Sequence, residues 1–318
     1  MAEKKNSILV NPEGKSWDFA KKVFDYVSQK SQEFELNTLE VKKFADGEIK
    51  PKILNNIRGR TCFFIHDSNE EPARWFLELT LVNQALKKSS AGEIINVLPY
   101  LRFARQDRKD EPRVPINAKV IADTIDLYAD AVLTIDIHNP AIEGFFDIRF
   151  DNLYSFAITI NYLQEKHPEI LQNLVIMSPD VGGAPRAQAF AKKLGIKEVV
   201  FGYKTRKTAG DVENLRIAGD VEGKNVLLID DIIDSGGTAI KAAQEAKKNG
   251  ALSVYGYCTH GLFTKGVDYV MPYFDKFFVG NTLQQEPHEK LEVIDFSQLF
   301  GEAIFRISEN MSLSELFK

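Results

Sequence analysis

The run Val226-Leu-Leu-Ile-Asp230-Asp231-Ile-Ile-Asp234-Ser235-Gly236-Gly237-Thr238 combines residue types that can hold a phosphate beside a pair of carboxylate acceptors. An apolar stretch hands two adjacent carboxylates to a Gly-rich turn, and a helix-forming segment follows. In an open parallel sheet, ligands bind beyond the carboxyl ends of the strands. The N–H groups of a helix start bind phosphate, and Gly lets the backbone approach it closely. Ser235 and Thr238 add hydroxyl donors, and Asp234 stands in the same turn. Asp230 and Asp231 are acceptors for sugar hydroxyls or for water on Mg²⁺. The alternative is a loop whose Asp residues cap the next helix. Two acids plus Gly-Gly are more than a cap needs.

A second segment, Tyr100 to Lys119, carries six basic residues against three acids in a chain of net charge −5. Arg105, Gln106, Lys109 and Asp110 lie within it. Such a local surplus suits a polyphosphate, whose charge must be neutralised before an incoming oxygen can approach. A solvated charge run ahead of a helix, with Pro115 at its first turn, reads the same residues differently. Asp136-Ile-His138 ends an apolar run. Without further context, a lone His there is a core residue. Asp180 sits in Met177-Ser-Pro-Asp-Val-Gly-Gly-Ala-Pro-Arg186, another strand–turn–helix pattern. Tyr203-Lys204-Thr-Arg206-Lys207 reads by composition as an exposed, charged loop.

The elements that must position these residues alternate throughout. Strands are expected at Ile8–Val10, Leu39–Phe44, Thr61–His66, Ile94–Leu98, Ala131–Ile137, Leu174–Met177, Asn225–Ile229 and Ser253–Tyr257. Helices are expected near residues 20–27, 74–87, 118–128, 153–165, 186–194 and 237–248. This pattern predicts an α/β chain of βαβ units with mainly parallel sheets flanked by helices. A weak echo joins Lys119–His138 to Lys241–His260: each reads helix, turn, apolar strand, His. It suggests two related domains, cut at 1–153 and 154–318, with the last helix able to pack back on the first.

The chain has 318 residues, 44% hydrophobic and 27% charged, which suits two globular domains. Its acidic balance argues against general nucleic-acid binding. No window approaches the ~20 apolar residues of a membrane span. Ile8-Leu9-Val10 is too short for a signal core, so a cytoplasmic protein is expected. Cys62 and Cys258 sit in apolar runs and read as buried strand residues.

The Asp230–Thr238 block resembles the loop shared by type I phosphoribosyltransferases and PRPP synthetases. The segment Ala104-Arg105-Gln106-Asp107-Arg108-Lys109, followed by Arg113-Val-Pro115-Ile-Asn-Ala-Lys119, is similar to a PRPP synthetase signature that ordinary phosphoribosyltransferases lack. Phe44-Ala-Asp46-Gly47-Glu48 resembles that family's adenine-contacting segment. The resemblance implies a type I phosphoribosyltransferase-like fold in both domains, and the activity of a ribose-phosphate diphosphokinase using ATP, ribose 5-phosphate and Mg²⁺. It implies that Phe44 stacks on the base while Asp46 and Glu48 bond its edge. Arg105, Gln106, Lys109 and Asp110 then lie near the phosphates and ribose of ATP. His138 and Asp180 serve the metal, Asp180 also faces the ribose phosphate, and Lys204 and Arg206 close on the transferring diphosphate. A homo-oligomer, typically a hexamer built from three dimers, is implied as well; Phe-rich runs such as Phe274–Phe278 and Gly144-Phe-Phe offer apolar surface for it or are simply core.

Several positions depart from the family pattern: Asn56, His66-Asp67-Ser68, residues 72–79, Pro140, Ala141, Glu143 and Gly280-Asn281-Thr282. Most lie at expected subunit or effector positions and put regulation in doubt. Gly280-Asn281 is expected to touch substrate. A catalytically weak regulatory paralogue and a phosphoribosyltransferase that consumes PRPP stand as alternatives.

Overall fold

The computed structural model describes residues 5–205 and 214–317. The first series of elements is β1 (Asn6–Val10), α1 (Trp17–Lys30), β2 (Phe34–Lys43), β3 (Ile49–Ile53), β4 (Thr61–Ile65), α2 (Pro72–Lys88), β5 (Glu93–Val97), α3 (Asn117–Asp126), β6 (Ala131–Ile135) and β7 (Arg149–Leu153). The second is α4 (Phe156–Lys166), β8 (Leu174–Ser178), α5 (Ala184–Leu194), β9 (Val199–Thr205), β10 (Asn214–Ala218), β11 (Asn225–Ile233), α6 (Gly237–Lys248), β12 (Ser253–Gly261), α7 (Val267–Val270), β13 (Lys276–Gly280), β14 (Leu291–Ile294) and α8 (Ser297–Ser308).

These strands form two seven-stranded sheets, ordered β3-β2-β1-β4-β5-β6-β7 and β10-β9-β8-β11-β12-β13-β14. Within each sheet one edge pair, β2/β3 or β9/β10, is antiparallel. Counted from its own first strand, each sheet has the same order. The expected pair of related α/β folds is therefore present. The sequence echo that suggested it is misaligned, however. Lys119–His138 spans α3 and β6, the sixth strand of its sheet, whereas Lys241–His260 spans α6 and β12, the fifth. The kinship lies in topology and not in that matched segment.

The chain divides into two compact units. One holds Met1–Tyr154, Thr282–Gln284 and Phe296–Lys318; the other holds Ser155–Asn281 and Gln285–Asp295. The division is thus not a single cut. In the first unit α8 packs on α1: the Phe19 and Phe300 rings meet edge-on at 5.4 Å, and Tyr26 Oη donates to Glu302 at 2.8 Å. Glu302 also pairs with Lys30 and, at 2.7 Å, with Arg306. Gly301 leaves room for Tyr26, since an added Cβ would lie 2.8 Å from its ring.

Local differences from the expected elements have physical causes. Residues 149–153 are an edge strand paired with β6, so the helix expected from Leu153 begins at Phe156. β11 extends to Ile233 and carries Asp230 and Asp231 inside the strand. Phe274, Phe277 and Phe278 are core residues, and Phe146 is also buried, so these runs are not contact surface. Their rings fill the space beside β13, with Phe274 and Phe277 edge-on at 5.0 Å. Tyr203 and Lys204 lie in β9 and not in a loop. Cys62 and Cys258 are buried in strands, and burial pushes the Cys62 thiol up to about 12. Among the described residues no helix is long and apolar enough to cross a membrane.

One polar cluster is sealed inside the first unit. His66 Nε2 donates to the Trp75 carbonyl at 2.9 Å, and His66 Nδ1 lies 4.0 Å from Glu78 Oε1, both side chains being buried. Burial pushes the Glu78 carboxyl up to about 7 and the His66 imidazole down to about 4.

Candidate functional site

In the second unit, β11 ends in the turn Asp234-Ser235-Gly236 and α6 opens at Gly237. Gly236 has φ +79°, a left-handed conformation open to Gly at little expense. The cap position of α6 is Gly236, which has no side chain to cap the helix. The N–H groups of the first turn are left to a ligand or to water. Asp234 pins the turn to the chain after β12: its Oδ1 accepts from Thr264 Oγ1 at 2.8 Å, and its carbonyl accepts from Thr264 N–H at 3.0 Å.

Asp231 is buried and Asp230 half-buried. The Asp231 N–H donates to Asp230 Oδ1 at 2.9 Å. Burial and the neighbouring Asp231 carboxyl hold Asp230 well above the usual carboxylate range, and Arg186 partly offsets this. Arg186, in the first turn of α5, donates from Nη1 to Asp231 Oδ1 at 3.0 Å and lies 3.8 Å from Asp230 Oδ1. The loop before α5 is tightly organised. Ser178 Oγ donates to the Asp180 carbonyl at 2.6 Å, and Gly183 N–H donates to Asp180 Oδ1 at 2.9 Å. A Cβ on Gly183 would lie 2.5 Å from Ser178 Oγ. Asp180 itself is exposed. The second unit thus brings together Asp180, Arg186, Asp230, Asp231 and the turn 234–238 around adjacent strands β8 and β11.

In the first unit, Phe44, Asp46 and Glu48 occupy the tight turn between β2 and β3. Phe44 N–H donates to the Glu48 carbonyl at 2.8 Å, and Glu48 N–H donates to Asp46 Oδ1 at 3.1 Å. Phe44 is 39% exposed, which excludes an ordinary core role, and Lys42 Nζ stands 5.3 Å from its ring centre. Arg105, Gln106, Lys109 and Asp110 are exposed on the segment between β5 and α3. The Gln106 side chain accepts from Asn117 Nδ2, and its carbonyl accepts from Ala118 N–H at 3.2 Å, which ties this segment to α3.

His138 follows β6 and is exposed, so the core-histidine reading is wrong. Just before it, Asp136 has φ +43°, and its N–H donates to the Leu153 carbonyl at 2.9 Å. Among the described residues, no group of three or more His, Cys, Asp or Glu side chains could hold a metal ion alone. His138 belongs to the first unit and Asp180 to the second. Lys204 lies in β9; Arg206 lies outside the described residues. Asn281, expected near substrate, donates from Nδ2 to Asp295 Oδ1 at 2.7 Å.

Sequence reasoning gave Arg186 no role. Its contact partner is 45 positions away and becomes adjacent only because β8 pairs with β11. The one available signal was an Arg in the first turn after a Gly-Gly loop.

Comparison with known proteins places these features in context. Residues 13–128 match a family model described as the N-terminal domain of ribose phosphate pyrophosphokinase. Residues 205–318 match one described as the phosphoribosyl synthetase-associated domain. A ribose-phosphate pyrophosphokinase of Chlorobaculum tepidum is 42% identical over 306 residues, covering 94% of this chain and 92% of the relative. One from Campylobacter jejuni is 39% identical, covering 94% and 96%. The crystal structure of phosphoribosylpyrophosphate synthetase from Mycobacterium smegmatis superposes with a TM-score of 0.85 at 29% identity, covering 96% of this chain and 100% of that one. Given this likeness along nearly its whole length, the chain belongs to the ribose-phosphate pyrophosphokinase family.

Proposed function

We infer that this chain is a ribose-phosphate diphosphokinase. It transfers the β,γ-diphosphate of ATP to the 1-hydroxyl of ribose 5-phosphate, giving PRPP and AMP for nucleotide biosynthesis. The observation that carries the reading is the acid pair Asp230/Asp231 leading into a helix start with no side-chain cap, in a chain of this family. Gly236, Gly237, Ser235 and Thr238 take the 5-phosphate. Asp230 and Asp231 read the ribose hydroxyls, with Asp180 beside them and Asp234 holding the turn. Phe44, Asp46 and Glu48 bind the adenine; Arg105, Gln106, Lys109 and Asp110 bind the remainder of ATP. The first unit thus supplies nucleotide contacts and the second the sugar phosphate contacts.

The reaction is an in-line displacement at the β-phosphorus, which depends on positioning and on charge stabilisation. Lys204 and Arg206 supply cations to the diphosphate as negative charge builds on it. His138 in the first unit and Asp180 in the second are each assigned to serve Mg²⁺, which would neutralise charge on the ATP phosphates. The protein is proposed to be cytoplasmic and homo-oligomeric.

The test is AMP release from ATP that depends on ribose 5-phosphate and proceeds without a nucleobase, with PRPP identified as the second product. A protein that forms no AMP under these conditions lacks the activity.

A further inference from the structure

We propose that Asn139 is a positioning residue that locks the segment assigned to the ATP phosphates to the loop that carries His138. The proposal rests on the roles given above to Arg105, Gln106, Lys109, Asp110 and His138. Asp107 lies inside the first segment and Asn139 directly follows His138; all of these residues belong to the first unit. Asn139 Nδ2 donates to Asp107 Oδ2, and Asn139 Oδ1 accepts from Ala141 N–H at 3.0 Å. A carboxylate only accepts and a backbone N–H only donates, so these two partners admit a single orientation of the amide. The backbone is set as well. Pro140 keeps the residue before it extended, and Asn139 has φ −136° and ψ 122°. Its carbonyl accepts from Ile142 N–H at 3.0 Å, and Ile142 is fully buried.

The bridge joins two segments that are otherwise anchored to different elements. Gln106 is tied to α3 through Ala118 N–H and Asn117 Nδ2. Asp136 and Ile137 are tied to β7 through the Leu153 carbonyl and Asn152 Oδ1. Among the described residues, the Asn139 amide is the one hydrogen-bond partner of the Asp107 carboxylate. The bond is charge-assisted and both side chains are half-buried, so it is stronger than a neutral surface contact. Lys109 and Asp110 follow Asp107 within three residues, on a stretch, 108–113, that is exposed throughout. His138 and residues 105–110 are assigned to one ligand, ATP with its metal. The spacing between them therefore decides whether both engage, and a misplacement of about 1 Å is costly. Neither Asn139 nor Asp107 is itself assigned to that ligand, so the pair acts by fixing the spacing.

The experiment exchanges the two ends of the bridge. N139D keeps an acceptor for Ala141 N–H but sets a second carboxylate against that of Asp107, which repels it. N139S keeps a hydroxyl acceptor for Ala141 N–H and is too short to reach Asp107. In N139D/D107N donor and acceptor have changed places and the bridge is restored. Each variant is first checked for native circular dichroism and melting temperature. The readouts are KM for ATP, KM for ribose 5-phosphate, the Mg²⁺ concentration for half-maximal rate, and the rise in melting temperature given by ATP with Mg²⁺. N139D is expected to raise the KM for ATP and the Mg²⁺ requirement about tenfold, and N139S about threefold. Both should change the KM for ribose 5-phosphate by less than about twofold, and N139D/D107N should lie within about twofold of wild type throughout. The rise in melting temperature should shrink in N139S, shrink further in N139D and return in the double variant. A folded N139D that handles ATP and Mg²⁺ as wild type does overturns the proposal. So does a double variant no better than N139D, or an equal rise in both KM values. Should N139D fail to fold, N139S decides: an unchanged KM for ATP overturns the proposal and a selective rise supports it. A wild type whose melting temperature does not respond to ATP with Mg²⁺ would overturn the underlying reading instead, which separates the two failures.

Discussion

The β-carbon that Gly236 lacks would fall 2.4 Å from Cγ2 of Val270. The turn proposed to receive the sugar phosphate is therefore packed directly against α7, and Gly236 also holds a positive φ. Gly236→Ala combines a steric clash with backbone strain, each worth about 1–3 kcal/mol. The expected result is loss of the rise in melting temperature that ribose 5-phosphate gives the wild type. A variant still stabilised by ribose 5-phosphate to the wild-type extent would remove the 234–238 turn from the phosphate site.

The Glu78–His66 cluster makes stability depend on pH in two opposed ways. Glu78 is raised from 4.5 to about 7, chiefly by burial, with Glu70 and Asp67 adding and Arg74 opposing. The fold favours its protonated form, so its contribution is complete below pH 4.5 and is lost as pH climbs through about 7. His66 is lowered from 6.5 to about 4, chiefly by burial, so its contribution is complete above pH 6.5 and is lost as pH falls through about 4. Glu78→Gln should remove the alkaline loss, about 3 kcal/mol at most. Urea unfolding at pH 5 and pH 8 checks this; parallel pH profiles for the two proteins would exclude the Glu78 assignment.

Lys204→Ala should lower kcat by about 10²–10³ with little change in the KM for ribose 5-phosphate, because the cation is assigned to charge that develops during transfer. A wild-type kcat in the variant would exclude Lys204 from the mechanism.

His138→Ala should raise the Mg²⁺ concentration needed for half-maximal rate while leaving the melting temperature near that of wild type. The side chain is exposed, so little packing is lost. An unchanged Mg²⁺ requirement would mean that His138 does not serve the metal.

Phosphate activation and ADP inhibition should be weak. Glu143 is exposed, and at a position that the family resemblance marks for effectors it would repel an anion, while Ala141 stands where an amide side chain is common. Initial rates against phosphate at fixed free Mg²⁺ measure this, and strong activation would show that Glu143 does not matter.

The long apolar runs were legible because burial on both faces of a parallel sheet demands them: β4, β5 and β6 lie within two residues of their expected bounds, and β11 starts where expected but runs on to Ile233. Strands that use short or mixed runs were not. β7 reads Arg-Phe-Asp-Asn-Leu with uneven burial, and β13 is a Phe-rich run that periodicity alone cannot distinguish from surface. In the candidate site, the acid pair and Gly turn were visible because their function depends on local order. The contact of Arg186 with Asp231 depends on a partner distant in the chain.

α8 is the last helix to leave the ribosome, yet it covers α1, among the first. The whole second unit is translated in between. During synthesis the α1 face that carries Phe19 and Tyr26 waits for Phe300, Gly301 and Glu302 until some 280 further residues have been added. At about 5–20 residues per second, that interval is on the order of 15–60 s, long enough for a chaperone or another nascent chain to reach the open face. The second unit's core is interrupted only by residues 282–284 and can close earlier. A chain stopped before residue 297 should therefore release a folded second unit attached to a first unit that is soluble only while something else occupies the place of α8.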